Sequence, residues 1–164
     1  MVNALCLSLS EVRMATGITR IDVTASGDSI SVYNDAPPLS IEGTKSMPSA
    51  ESLFTDLRAC HSHPGHAGFE EALCKSGIAV VNAISSGSRI ITGTGPTALV
   101  MKFSVGKPLG GFKEAKATVN GTRLDFELDK RWAGSDKFDL AAIELAVQSI
   151  GVNLEGVELT FKDS

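Results

Sequence analysis

Apolar residues recur every three or four positions in four stretches of the chain and every second position through most of the rest. Val2, Leu5, Leu9, Val12 and Ala15 fall near one face of a first helix, which Gly17 stops. TRIDVTASGDSISVYND then alternates apolar and polar residues on both sides of Ser26-Gly27-Asp28, predicting a β-hairpin in which Ile21 and Val23 face one way on the first strand and Ile30 and Val32 do so on the second. Residues 35–48, rich in Pro, Gly and Ser, predict a loop. Ser49 suits the cap of a helix through ESLFTDLRAC, whose apolar positions are Leu53, Phe54, Leu57 and Ala59. HSHPGHAGF breaks that helix, and another is expected over residues 70–85, ending at Gly87. RIITG, ALVMKFSV, FKEAKATV and RLDFEL predict four strands, the last two joined at Asn120-Gly121, a dipeptide suited to a two-residue hairpin turn. FDLAAIELAVQSI predicts a last helix closed by Gly151, and VELTF a last strand. The order α-ββ-α-α-ββββ-α-β, without repeat or linker, predicts a single domain over residues 1–164. Its fold class is an α/β (α+β) two-layer sandwich, a mixed sheet with helices packed on one face.

Composition narrows the partners. The chain has 164 residues, 43% of them hydrophobic, enough for one domain with a core. A net charge of -4 and 5% aromatic residues argue against phosphate-driven or base-stacking nucleic-acid binding. Three cysteines without regular spacing fit a reducing compartment, so a cytoplasmic protein is expected. The N-terminus carries no basic segment of a secretory signal, and no apolar run approaches the roughly 20 residues of a membrane span.

The densest reactive stretch is CHSHPGH. Cys60, His63 and His66 follow one another at three-residue steps, with His61 between and Cys74 further along. Thiolate and imidazole suit zinc, whereas the plainer reading is a polar loop with solvated histidines. A Cys–His hydrolase is disfavoured because Cys60 and His61 are adjacent, which turns their side chains apart. Cys6 reads as a small core filler. Trp132 reads either as a partner anchor or as cover for a strand-to-helix connection. Asp125 and Glu127, alternating with Leu124, Phe126 and Leu128, read as the solvated face of a strand.

The segments together resemble the ATP-binding domain of the B subunits of DNA gyrase and topoisomerase IV, in the GHKL superfamily, whose fold is called Bergerat. SISVYNDAPPL lies where that family has a strand followed by D-D-G-R-G-I-P. ESLFTDLRAC resembles the helix leading into the ATP lid, and SGIAVVNAIS the G-x-x-V-V-N-A-L-S helix, whose asparagine is Asn82 here and is expected to bond locally. NGTRLDFELDKRW resembles the T-G-T-x-x-x-F-x-P-D strand, and FDLAAIELAVQSIGVNLEGVELTFKD the final helix and strand. The resemblance implies a single such domain lacking the family's N-terminal arm and transducer domain.

The departures from that pattern bear on chemistry. The family's glutamate base and magnesium-binding asparagine align with Ala4 and Ser8, neither of which suits the role. Glu11 lies about two turns beyond Ala4 and points elsewhere. The adenine-binding aspartate aligns with Asn34, whose carbonyl is still an acceptor, and the family threonine aligns with Thr122. The flexible glycines after the aspartate give way to Ala36, Pro37 and Pro38. EALCKSGIA replaces the glycine-rich phosphate turn, keeping only Gly77, adding the charge of Glu71 and offering Lys75 as a lone cation. The resemblance therefore implies a vestigial nucleotide pocket at Ala4, Ser8, Asn34, Gly77 and Thr122, with neither ATP turnover nor another cofactor. The leading expectation is a non-catalytic domain acting through a protein partner: a topoisomerase subunit, a second copy as a homodimer, or another complex. Two alternatives stay open: a small-ligand sensor reusing the pocket, and a zinc module built on Cys60, His63, His66 and Cys74.

Overall fold

The structure, a computed structural model, describes residues 17–43, 49–56, 77–133, 137–151 and 156–164. The expected first helix, with Ala4 and Ser8, lies outside these residues, as does the Cys60–Cys74 stretch.

The alternating segments form strands β1 (Arg20–Ser26), β2 (Ser29–Asn34), β3 (Ser85–Ser104), β4 (Lys107–Pro108), β5 (Lys113–Leu128) and β6 (Glu158–Asp163). The described helices are α1 (Ala50–Thr55), α2 (Gly77–Ala83), α3 (Lys130–Ala133) and α4 (Leu140–Gly151). The strands make one mixed sheet in the order β4-β3-β5-β2-β1-β6, antiparallel except where β1 pairs with β6. β1 and β2 close as the expected hairpin, Ser26 facing Ser29 across the Gly27-Asp28 turn.

One face of the sheet carries the core. Ile21, Val23, Ile30, Val32, Ile90, Leu124 and Phe126 meet Phe54 of α1, Ile78 and Val81 of α2, and Ile143, Val147 and Ile150 of α4. The Phe54 ring stacks on Phe103 at 5.3 Å and on Phe126 at 6.2 Å between centroids. Caps fix where the helices begin. The Ser49 hydroxyl accepts from the Ser52 amide at 3.1 Å, and the Asp139 carboxylate accepts from the Ala142 amide at 3.0 Å.

Three details depart from the sequence reading. First, the described part of the 70–85 helix ends at Ala83 and β3 begins at Ser85, because Ser85 already pairs with Leu128. Second, RIITG and ALVMKFSV are two arms of one strand that doubles back. A Cβ on Gly93 would lie 3.1 Å from the Ala98 Cα, whereas five residues of straight strand span about 16 Å. Third, Asn120-Gly121 is not a hairpin turn. It lies inside β5, opposite Thr94 and Gly93, and Asn120 lacks the positive φ such a turn requires. A two-residue turn forms instead at Val105-Gly106, between β3 and β4, with φ of 48° and 76°. Its backbone is held from outside: Gly106 packs so closely on α2 that a Cβ there would meet the Ala83 Cα at 2.9 Å.

Candidate functional site

The inward stripe of β2 runs Ile30, Val32, Asn34, so a polar residue ends an apolar row. In register, Asn34 faces Thr122 of β5, and Thr122 faces Thr92 of β3. The result is a polar row across three strands at 0%, 0% and 1% exposure, respectively. Burial of such groups is tolerable only when they are hydrogen-bonded. The Thr92 and Thr122 hydroxyl oxygens lie 3.0 Å apart, and Thr92 Oγ1 is 3.3 Å from the Gly121 carbonyl. The loop after β2 closes on the row from the other side. Leu39 donates its amide to Thr92 Oγ1 at 2.9 Å, and Ala36 donates its amide to Asn34 Oδ1 at 3.2 Å.

Strand register thus brings Asn34 and Thr122 together. Thr92 belongs to no motif in the sequence, although the alternation of RIITG sets it on the same face as Ile90. Gly77 opens α2, followed by the buried Ile78. Ala4, Ser8, Glu11, Glu71 and Lys75 lie outside the described residues, as do Cys60, His61, His63, His66 and Cys74. Among the described residues, no three His, Cys, Asp or Glu side chains group as a metal site.

Asn82 was expected to bond locally and does not. Buried at 1% exposure, it donates from Nδ2 to the Phe54 carbonyl at 2.8 Å, and its Oδ1 accepts from the Ser88 hydroxyl at 2.5 Å. Trp132, on α3, is 69% exposed.

The sheet face opposite the helices carries the charge. Asp125, expected in solvent, has a side chain only 16% exposed and is gripped by Arg89 and by Arg123 Nε, the latter at 2.8 Å. Burial pushes its carboxyl upward, but the Ser31 hydroxyl and the two guanidiniums outweigh that and hold it below the usual range. Asp22 behaves alike: burial opposes ionisation, and Arg20 Nε at 2.8 Å with the Thr160 hydroxyl at 2.6 Å prevails. Asp35 staples the start of β1 to the end of β2, accepting from the amides of Thr19 and Arg20, each at 3.0 Å, and from the Thr19 hydroxyl at 2.6 Å.

No protein-family profile matches the sequence, and no curated protein matches it either. Solved structures do. The 43K ATPase domain of Thermus thermophilus gyrase B, solved with an aminocoumarin, superposes with a TM-score of 0.75 at 19% identity. That match covers 98% of this chain, which spans 41% of the gyrase chain. The ATP-binding domain of Francisella tularensis topoisomerase IV, solved with a small-molecule inhibitor, gives the same TM-score and identity over 99% of this chain and 79% of its own. The chain has the GHKL, or Bergerat, fold of the gyrase B and topoisomerase IV ATPase domains.

Proposed function

We propose that this chain uses the ATPase-domain fold without hydrolysing ATP and acts by binding another protein. The observation that carries the reading is the closed state of the Asn34–Thr122–Thr92 row. A base can be read only by groups it can reach, and here all three side chains are withdrawn from solvent. The loop that would have to make room for the base is tied to the same row through Leu39 and Ala36. Pro37 and Pro38 stiffen that loop and offer no amide to a ligand. The sequence departures at Ala4 and Ser8 support the same reading, because alanine cannot activate water and serine is a weak magnesium ligand.

A domain relieved of catalysis still presents surface. Trp132, at 69% exposure, is a side chain of the kind that anchors protein contacts. By analogy of fold, the partner is a subunit of a larger assembly such as a type II topoisomerase. Calorimetry with ATP, ADP and adenine, with and without magnesium, tests the first half. No binding in the micromolar range and no phosphate release are expected; micromolar binding with steady hydrolysis would overturn the reading. Adenine binding without hydrolysis, lost in Asn34→Leu, would instead favour a sensor. Affinity capture from the native host, repeated with Trp132→Ala, tests the second half: a retained protein lost with the variant is expected.

A further inference from the structure

On the sheet face away from the helices, strand register aligns side chains in two rows. Arg89, Asp125, Ser31 and Thr24 form one; Ile91, Arg123, Tyr33 and Asp22 form the other. Over these rows lie two adjoining hollows of about 610 and 510 Å³, which share Thr24, Ser31 and Arg123. Both fall within the roughly 300–1,000 Å³ typical of small-ligand sites.

The larger hollow has two kinds of wall. One is apolar: Ile91, Val119 and Ala117 belong to a small cluster separate from the main core, with Tyr33 packed against it. The Tyr33 hydroxyl donates to the Asn120 carbonyl at 2.7 Å, which fixes the ring in place. The other wall is charged, with Asp22 and Arg123 as its ionic side chains. Asp22 is matched by Arg20 at 2.8 Å. Asp125, which lines the smaller hollow, is shared by Arg89 and Arg123. Arg123 is engaged through Nε alone, by Asp125 at 2.8 Å and Ser31 at 3.0 Å. Its terminal nitrogens have no protein partner among the described residues, although a guanidinium edge is shaped to hold an oxyanion through paired N–H groups.

We infer that the larger hollow is a binding site for a small organic anion. The apolar or aromatic body lies on Ile91, Val119 and the Tyr33 ring, and a carboxylate or phosphate group meets the free edge of Arg123. The site lies on the opposite face of the sheet from Asn34 and Thr122 and stands independently of what that row does.

The test is an NMR titration of the isotopically labelled chain with phenyl phosphate, benzoate and neutral benzyl alcohol. At least one anion is expected to shift the Arg123 Nε–H and the Tyr33, Ile91 and Val119 amides saturably, and the tighter anion identifies the acid group. The alcohol is expected to bind at least about tenfold more weakly, the size of a charge-assisted hydrogen bond. Arg123→Gln, at a position 46% exposed, should weaken the anion by a similar factor. Thr24→Trp, which fills the shared wall and leaves every arginine in place, should abolish binding. Absence of saturable shifts, equal binding of the alcohol, or an unaffected Arg123→Gln variant would each overturn the inference.

Discussion

Gly121 sits directly against the backbone of Asn34: a Cβ at position 121 would lie 2.1 Å from the Asn34 carbonyl oxygen and 2.9 Å from the Asp35 Cα. Neither neighbour can yield, because Asn34 is buried in the sheet and Asp35 is tied to Thr19 and Arg20. The φ of 133° at Gly121 adds backbone strain for any other residue. Gly121→Ala is therefore expected to cost about 3 kcal/mol or more, combining overpacking with strain. Gly27→Ala is the control, since Gly27 has positive φ but nothing within 4 Å of the added carbon. It should cost only about 1 kcal/mol. Urea unfolding that gave the two variants equal midpoints would contradict the close approach.

Acid should weaken the fold through carboxylates held below their usual range, Asp35, Asp22 and Asp125 among them. Burial raises the Asp35 carboxyl, but the Thr19 hydroxyl and the amides of Arg20 and Thr19 prevail and lower it below 3.8. Asp22 and Asp125 are lowered as well. For a group whose folded value is depressed, the native state binds fewer protons than the unfolded chain. Its stabilisation is fully present above the unfolded value and disappears as pH falls through the folded one. Unfolding free energy should thus hold from neutrality to about pH 5 and fall steadily below about pH 4. Asp35→Asn is expected to cost about 1 kcal/mol at neutral pH, discounted for partial exposure, and to flatten the acid slope. A variant with the parent's slope would remove Asp35 from the account.

Particular residues show how far the sequence could be read. The hairpin at Gly27-Asp28, the Ser49 cap and the apolar face of α4 are local, and short-range chemistry announces each. The bend in β3 is not local. It depends on Gly93 lying against Ala98 and on β5 pairing with both arms, which alternation alone cannot encode. Asn120-Gly121 carries a strong hairpin signal, yet the glycine is there for its close approach to Asn34. The turn at Val105-Gly106 has a poor local signal and is set by packing on Ala83. At the candidate site, Asn34 and Thr122 were legible through the family resemblance, whereas Thr92 needed the register. Arg89 and Arg123 went unread because their shared aspartate is a cross-strand relationship, invisible without the pairing of β3 with β5.

Asn82 joins three elements and should behave as their common lock. It holds α1 through the Phe54 carbonyl, β3 through the Ser88 hydroxyl, and lies 3.5 Å from the Gly106 carbonyl beside the β3–β4 turn. Asn82→Asp keeps the shape but replaces the amide donor with a carboxylate facing a buried carbonyl. That leaves the Phe54 oxygen unsatisfied and buries a charge, for an expected cost of about 3 kcal/mol. The mechanism also fixes the sign with pH. A buried aspartate lacking a cation is stabilised when protonated, so the variant's deficit should shrink on mild acidification, opposite to the trend set by Asp35. Ser88→Ala alone should cost about 1 kcal/mol, and the double variant more than the sum, because the aspartate keeps the Oδ1 that accepts from the Ser88 hydroxyl and an ionised acceptor strengthens that bond. Strict additivity, or a deficit that grows as pH falls, would show that Asn82 does not link α1 to β3 in the way its hydrogen bonds describe.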